Sequence, residues 1–272
     1  LLPGLEPAGV PKALRGTAHA FKFNDCEMLT QLLSQYQGQI AAIIIEPVRG
    51  SDPSNDFSNL IAEAQSKQGV RLVIDEISAG FRVRTGGAHL NYAYQPDIAV
   101  FSKALGNGYP IGAIIGKGTV MNAAEQSFIS STYWTERIGP VAALATIEKF
   151  EEKSVADHLI HLGKTVHQGW KDAAEQVGLD ISTSGIYPMG HFSFRYDHPA
   201  ELKALFVQLM LEQGILASNL FYAMYAHTET DISRYLDACQ SVFKQLKRAI
   251  DENSINAQLK GKPANFGFRR LS

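Results

Sequence analysis

The chain has 272 residues, which is enough for one large domain or for a large domain with a smaller one. Apolar residues make up 45% of the chain and charged residues 19%, a balance that excludes an intrinsically disordered protein. The formal net charge of −2 gives no reason to expect nucleic acid or an anionic membrane as a partner. No apolar stretch reaches the roughly 20 residues that a membrane-spanning helix needs.

The cysteines and the start of the chain bear on where the protein works. Cys26 and Cys239 lie far apart and form no CxxC or Cys/His metal-binding pattern, so we expect reduced thiols in a cytoplasmic protein. The opening segment, LLPGLEPAGVPK, lacks the basic and apolar regions of a signal peptide. It begins with Leu1 and is typical of a connection inside a protein, so we expect the chain to be part of a longer one.

The first half of the chain alternates predicted helices and strands. After a Pro/Gly-rich start with a short strand at 18–23, apolar residues recur with helical spacing at 25–36 and 56–68. The run IAAIIIE at 40–46 is continuously apolar, which indicates a strand buried on both faces. Three further strands are predicted at 71–75, 98–102 and 111–116. This order predicts an α/β fold with a mostly parallel sheet covered by helices.

The pattern changes after Gly139-Pro140, where helices dominate. Amphipathic helices are predicted at 140–152, 155–177, 202–210 and 228–250. The last of them opens with the capping-box pattern of Thr228 to Asp231. The segment HFSFRY at 191–196 alternates apolar and polar residues, as a strand with one solvated face does. We expect the polar tail from Asn253 to be loosely held.

Two charged residues follow buried strands of the first half. Asp75 comes directly after Leu72-Val73-Ile74, and Lys103 follows the run from Ile98 to Phe101. Ligands of open α/β sheets bind outside the carboxyl ends of the strands. Pyridoxal phosphate needs a lysine that forms a Schiff base with its aldehyde and an acid that keeps its pyridine nitrogen protonated. The pair predicts such a site, although Lys103 alone also fits a surface charge and Asp75 a helix cap.

Several motifs around these residues resemble the class-III pyridoxal-phosphate aminotransferases, especially the glutamate-1-semialdehyde aminomutase-like branch. The resemblance is carried by AAIIIEPVRG, VIDEISAGFRVRTGGAHLNY, PDIAVFSKALGNGYPIGAIIG, STYWTERIGP and LFYAMYAHTETDI. It implies a fold-type-I PLP transferase of the α/β class, with a mostly parallel sheet in the large domain and a smaller C-terminal α+β domain. We expect residues 1–150 to belong to the PLP-binding large domain. Residues 151–272 would supply the rest of a large-domain helix and the small domain.

The resemblance also assigns site residues. It implies that Lys103 is the Schiff-base lysine, that Asp75 pairs with the pyridine nitrogen of pyridoxal 5'-phosphate, and that Ile77 lies against the ring. Thr135 stands five residues before Pro140 and matches the threonine that binds the cofactor phosphate of the neighbouring subunit. A homodimer with shared active sites is therefore implied. Without the surrounding pattern, Thr135 would be interpreted as the N-cap of the helix that follows.

Other residues near these motifs have two open interpretations. The glycines of 106–112 either let the backbone approach the cofactor or serve as ordinary turn glycines. Glu46 either belongs to the surroundings of the active site or simply ends a strand. Arg82 and Arg84 are candidates for binding a substrate carboxylate, but we expect both to form structural ion pairs.

Two departures from the family bear on the function. Family members are longer, and the part that precedes residue 1 carries the phosphate-binding loop, the aromatic residue stacked on the ring and much of the substrate pocket. The aminomutases also have a glutamate before the AHT motif, where this chain has Asn219. We therefore expect an aminotransferase that moves an amino group from a small-molecule amino donor to a keto or aldehyde acceptor. The alternatives are an aminomutase or racemase on the same scaffold, and a non-catalytic fragment or pseudoenzyme.

Overall fold

The structure is a computed structural model that describes residues 9–48, 50–133 and 135–263. These residues form two compact units. The first runs from His19 to Leu159, and the second combines the residues up to Ala18 with those from Ile160 onward. The division into domains at residue 150 stays a prediction. Within the described residues, no helix is both long and apolar enough to cross a membrane.

The described part of the first unit contains a four-stranded sheet in the order β1-β2-β3-β4. Its strands are β1 (Ala42–Ile45), β2 (Arg71–Asp75), β3 (Ile98–Phe101) and β4 (Ala113–Gly116). The pairs β1–β2 and β2–β3 are parallel, whereas β4 runs antiparallel to β3. The predicted α/β class with a mostly parallel sheet is confirmed.

The described part of the first unit has four α-helices, and side chains cap the first two at their starts. They are α1 (Cys26–Gln35), α2 (Asn55–Gln68), α3 (Gly118–Met121) and α4 (Ile138–Glu152). The Asp25 carboxylate accepts a hydrogen bond from the Met28 N–H at the start of α1. The Ser54 hydroxyl does the same for the Phe57 N–H at the start of α2. The last turn of α2 ends at Gly69, whose φ of 68° lies in the left-handed region, as predicted for a C-terminal cap.

The core of the first unit lies between α1, α2 and one face of the sheet. Its buried side chains come from all three elements and include Leu29, Leu33, Ile43, Ile45, Phe57, Ile61, Leu72 and Ile74. Burying a side chain of this kind stabilises a fold by roughly 1.5–3 kcal/mol. Phe21 and Phe23 also pack against this cluster, but from an irregular segment. The strand predicted at 18–23 is therefore wrong, because these residues contribute side chains without joining the sheet.

The other face of the sheet carries Asp75 and several exposed apolar side chains. Asp75 pairs with Val100, and Val100 pairs with Ile114, so the three residues share a face. Ile44 of β1 is 66% exposed and Ile114 is 61% exposed. The prediction that residues 40–46 are buried on both faces is therefore wrong. In β1, Ile43 and Ile45 are buried and the alternate positions are not.

The chain enters the second unit inside α5 (Val155–Val177). The other elements of this unit are β5 (Ile181–Ile186), β6 (Met189–Phe194), α6 (Pro199–Glu212), β7 (Leu220–Tyr222), α7 (Glu229–Asp251) and α8 (Ile255–Gln258). The strands form an antiparallel sheet in the order β5-β6-β7. Its core joins Trp170 of α5, Phe192 of β6, Phe206 of α6 and Phe243 of α7, with ring centroids 5.0–5.5 Å from that of Phe192.

Two predictions for the second unit have clear outcomes. The capping box at the start of α7 is present, since the Thr228 hydroxyl accepts from the Asp231 N–H and the Asp231 carboxylate accepts from the Thr228 N–H. The expectation of a loosely held tail is wrong for the residues up to Lys260. The side-chain amide of Gln208 donates to the Gln258 carbonyl at 3.0 Å and accepts from the Lys260 N–H at 2.8 Å.

A buried histidine of α5 links the stability of the chain to pH. His167 lies between the rings of Trp170 and Tyr187, and its Nε2 has no hydrogen-bond partner within the described residues. Burial lowers the pKa of His167, and the charges of Lys171 and His191 lower it further. Below about pH 6.5 the unfolded chain therefore binds a proton that the folded chain does not bind, and folding stability is lost as the pH falls.

We expect the free energy of unfolding to decrease between about pH 7 and pH 5, and we expect His167→Leu to reduce that decrease. Urea denaturation followed by circular dichroism at several pH values measures both. His198→Gln is the matched control, because His198 is exposed and its side chain does not cap α6. The same pH dependence in wild type and His167→Leu would contradict the expectation.

Candidate active site

The carboxyl ends of β2 and β3 lie at one edge of the sheet, because the two strands are parallel neighbours. Asp75 is the last residue of β2, and Lys103 opens a short 3-10 helix directly after β3. The structure therefore brings two of the predicted site residues to the same edge. The loops that follow these strands carry the other groups of the candidate site.

A tight turn follows Asp75 and is held by its own hydrogen bonds. Asp75 Oδ1 accepts from the Ile77 N–H at 2.9 Å, which is the pattern of an Asx turn. The Glu76 carbonyl accepts from the Gly80 N–H at 2.8 Å. Asp75 and Ile77 are both half-buried, and within the described residues Asp75 Oδ2 has no hydrogen-bond partner. One carboxylate oxygen thus shapes the turn and the other is available.

The carboxylate of Glu76 is fully buried and fully bonded. Its side chain has 0% exposure, and Oε1 accepts from the His89 N–H at 2.7 Å and from His89 Nδ1 at 2.6 Å. Oε2 accepts from the Ala88 N–H at 3.1 Å. Gly87 has a φ of 114°, and a Cβ there would lie 2.7 Å from Glu76 Oε1, so the loop needs glycine at this place. Glu76 therefore ties the loop before His89 to the end of β2.

Lys103 has a backbone conformation that non-glycine residues rarely adopt. Its φ is 43°, in the left-handed region, and its carbonyl accepts from the Gly106 N–H at 3.2 Å and the Asn107 N–H at 3.0 Å. Its Nζ donates to the Ser78 hydroxyl at 2.6 Å. Strained residues of this kind cluster at functional sites. The amine of Lys103 is thereby held beside the turn that follows Asp75.

Turn geometry accounts for two glycines of the loop after Lys103. A Cβ on Gly106 would lie 2.1 Å from the Tyr109 carbonyl oxygen, and Gly108 has a φ of 108°. Both positions need glycine for the turn itself. Of the two open interpretations, the structure thus supports that of ordinary turn glycines for Gly106 and Gly108.

The two arginines near the site donate to backbone carbonyls. Arg82 Nε donates to the Ser78 carbonyl at 2.7 Å, and Arg84 Nη1 donates to the Leu90 carbonyl at 3.1 Å. Within the described residues, Arg84 has no ion pair with a carboxylate, so that part of the expectation is wrong for Arg84. Glu46 is half-buried directly after β1, and its role stays open.

Thr135 is exposed and lies three residues before α4. The alternative interpretation of Thr135 as a helix cap is wrong, because Glu136 performs that task. The Glu136 carboxylate accepts from the backbone N–H groups of Ile138 and Gly139, the latter at 3.2 Å. Within the described residues, no hydrogen bond joins Thr135 to Asp75, Ile77 or Lys103.

Sequence reasoning missed three polar residues of this region: Ser78, Glu76 and Glu136. A signal existed for Glu76, because the alternation of β2 directs residue 76 to the same side as the buried Ile74. A signal also existed for Glu136, since acidic residues favour helix starts. The contact between Ser78 and Lys103 had no local signal, because it joins residues 25 positions apart in sequence.

The second unit has an open pocket of about 460 Å³ near the start of α7. Its lining combines exposed apolar side chains with polar ones, among them Leu216, Leu220, Met224, His227 and Arg234. None of the predicted site residues lines this pocket. The volume of a cavity therefore does not by itself indicate where the candidate active site lies in this chain.

Solved structures of other proteins share the architecture described above. The FumI protein of Sphingopyxis sp. MTA144, in its PLP internal aldimine form, has a TM-score of 0.79 at 24% identity, over 89% of this chain and 59% of that chain. An omega-transaminase from Sphaerobacter thermophilus has a TM-score of 0.80 at 20% identity, over 88% of this chain and 60% of that chain. The predicted fold class, that of the fold-type-I PLP transferases, is confirmed.

The family described as Aminotransferase class-III matches residues 5–243. The chain therefore belongs to the class-III aminotransferase family, as the motifs predicted. It is 28% identical over 256 residues to the 3-aminobutyryl-CoA aminotransferase of Cloacimonas acidaminovorans (strain Evry), covering 89% of this chain and 61% of that relative. It is also 28% identical over 257 residues to the glutamate-1-semialdehyde 2,1-aminomutase of Desulforamulus reducens, covering 87% and 60%. The chain thus spans about three fifths of the length of these relatives.

We expect Glu76→Leu to lower the free energy of unfolding by about 3 kcal/mol or more, because it leaves three buried donors without an acceptor. Urea denaturation measures this loss. Glu63→Gln is the matched control: Glu63 forms an exposed ion pair with Lys67, and such pairs contribute at most about 1 kcal/mol. A loss below about 1 kcal/mol in Glu76→Leu would show that the loop does not depend on this carboxylate.

Proposed function

We propose that the protein is a pyridoxal-phosphate-dependent aminotransferase, which moves an amino group from a small-molecule donor to a keto or aldehyde acceptor. One observation carries the proposal: the Lys103 amine lies at the sheet edge where Asp75 ends the neighbouring strand, held by a hydroxyl of the turn that Asp75 begins. Membership of the class-III family supports this interpretation of the two residues.

The groups at this edge fit pyridoxal 5'-phosphate. Lys103 offers an exposed primary amine for the aldehyde, and Asp75 offers a carboxylate oxygen for the pyridine N–H. Ile77 is half-buried next to Asp75 and offers an apolar contact for a ring face. When bound, the cofactor supplies the aldehyde that retains the amino group and a ring that accepts the electron pair of the broken bond.

Each residue has a defined task in this proposal. Lys103 Nζ takes up the proton that leaves the substrate carbon, as a general base, and later gives it back. The Asp75 carboxylate would hold the proton on the ring nitrogen, which makes the ring a better electron acceptor. Ile77 fixes the plane of the ring and excludes water from one face.

Thr135 is proposed to bind the cofactor phosphate held by a second copy of the protein, so that the homodimer shares its active sites. Its side chain is exposed and has no hydrogen bond within the described residues. Exposed apolar side chains flank it along the chain, including Phe128, Ile138, Val141 and Leu144. Several exposed apolar side chains within one segment of the chain agree with a surface that another subunit covers. We also propose a cytoplasmic location, which agrees with the two free cysteines, Cys26 and Cys239.

A specific observation also favours a second candidate, an aminomutase. The relatives at 28% identity include glutamate-1-semialdehyde 2,1-aminomutases. Against it, Asn219 stands where those enzymes are expected to have a glutamate, and its side-chain amide donates to the Phe192 carbonyl at 2.8 Å. An amide bonded to the backbone of β6 cannot replace a carboxylate in proton transfer, so we favour the aminotransferase.

We expect borohydride reduction in the presence of pyridoxal phosphate to leave the pyridoxyl group on Lys103. The amine condenses with the aldehyde, one water leaves, and hydride adds to the resulting C=N carbon. Peptide mapping by mass spectrometry locates the added mass. Lys117 is the internal control, because its amine contacts Asp97 at 3.1 Å. Preferential labelling of Lys117, or no specific label, would overturn the proposal and favour a non-catalytic fragment.

We expect turnover of an amino donor to require an added keto acid or aldehyde, since an aminotransferase has to pass the amino group to a second molecule. Product analysis by mass spectrometry with and without an acceptor measures this. An isomerised or racemised product formed without any acceptor would contradict the aminotransferase and support the aminomutase or racemase.

A further inference from the structure

The shortest side-chain contact that Lys103 makes in the described residues is with Ser78. The Nζ–Oγ distance is 2.6 Å, and the two residues come from different turns at the sheet edge. Ser78 is half-buried, whereas Lys103 is exposed. A long lysine side chain has many rotamers in solvent, so a partner that stays in place restricts where its amine lies.

Ser78 is itself held on both sides. Its carbonyl accepts from Arg82 Nε at 2.7 Å. The turn before it is closed by the hydrogen bond from the Ile77 N–H to Asp75 Oδ1, at 2.9 Å. The hydroxyl is thus attached to a fixed backbone that starts at Asp75, the residue proposed to bind the ring nitrogen.

The neighbouring hydroxyl, that of Ser102, has a different task. Its Oγ donates to the Ile111 carbonyl at 2.7 Å, which joins the end of β3 to the loop before β4. Ser102 directly precedes Lys103 in sequence, yet within the described residues its hydroxyl bonds this carbonyl and not the Lys103 amine. It offers a matched comparison: a hydroxyl of the same kind, one residue from Lys103, that serves the backbone and not the amine.

We infer that Ser78 is a positioning residue that holds the Lys103 amine beside the turn that Asp75 begins, so that an aldehyde bound at this edge meets the amine. The inference rests on the proposed function, because it assigns Lys103 the task of binding the cofactor. It adds a residue to which the resemblance assigned no role in this chain. Ser78 acts through Lys103.

The test compares two chemistries at the same amine. The first is the rate of pyridoxal phosphate labelling of Lys103 after borohydride trapping, normalised to Lys117 in the same digest. The second is trace labelling by acetic anhydride without the cofactor, in which the amine gains an acetyl group and acetate and a proton leave. The variants are Ser78→Ala, Ser78→Thr and the control Ser102→Ala, with circular dichroism to verify folding.

We expect Ser78→Ala to slow the pyridoxal phosphate labelling of Lys103 about five-fold or more, the effect of losing one hydrogen bond. Ser78→Thr keeps a hydroxyl and should restore the rate, and Ser102→Ala should match wild type. Acetylation of Lys103 should not fall in Ser78→Ala, because the amine is freed and remains exposed.

An unchanged pyridoxal phosphate rate in Ser78→Ala would overturn the inference alone. An equal decrease in the rates of pyridoxal phosphate labelling and acetylation of Lys103 would also overturn it. The variant would then have lost the local structure around Lys103, and the effect would not be due to the position of the amine. Labelling of wild type at another lysine would overturn the proposed function, and the inference with it.

Discussion

The buried carboxylate of Glu76 is the constraint on which the candidate site depends. A buried charge is costly unless donors surround it, and here three donors from Ala88 and His89 converge on it. The carboxylate therefore has one stable orientation. Because Asp75 precedes Glu76 and the turn to Ser78 follows it, that orientation also determines where both neighbours lie. The hydrogen-bonded carboxylate of Glu76, on the buried side of the strand end, thus positions the groups on the exposed side that are proposed to act on the cofactor.

In the loop after β3, as at the end of β2, some groups stabilise the backbone and another is left to act on a ligand. Lys103 has a left-handed backbone, which costs of the order of 1–3 kcal/mol for a non-glycine residue. Hydrogen bonds from Gly106 and Asn107 to its carbonyl offset part of that cost. Ser102, the residue before Lys103, donates its hydroxyl to the Ile111 carbonyl in the loop before β4. Backbone contacts thus stabilise the conformation and leave the amine to interact with Ser78.

The sequence predicted what depends on local pattern or on sheet topology. Gly69 and Thr228 were identified from cap chemistry, which involves residues within one turn. The sequence predicted that Asp75 and Lys103 lie at the carboxyl ends of two strands, which parallel neighbours bring together. The exposure of Ile44 could not be predicted, since it depends on β1 being an outer strand of the described sheet, with a neighbouring strand on one side. The strands β5 and β7 were missed because one is rich in Ser, Thr and Gly and the other has three residues. Whether Asp75, Ile77, Lys103 and Thr135 contact a cofactor stays a prediction.

The carboxylate of Glu136 occupies the N-terminus of α4. The free N–H groups at a helix start normally attract anions from outside the chain, phosphate among them. In this chain an internal anion already competes for them, and it lies next to Thr135. A phosphate that approaches Thr135 therefore meets a hydroxyl and a neighbouring negative charge in place of an open helix dipole. Added salt would screen the repulsion between the phosphate and Glu136, so this one contribution to phosphate binding becomes less unfavourable as the ionic strength rises.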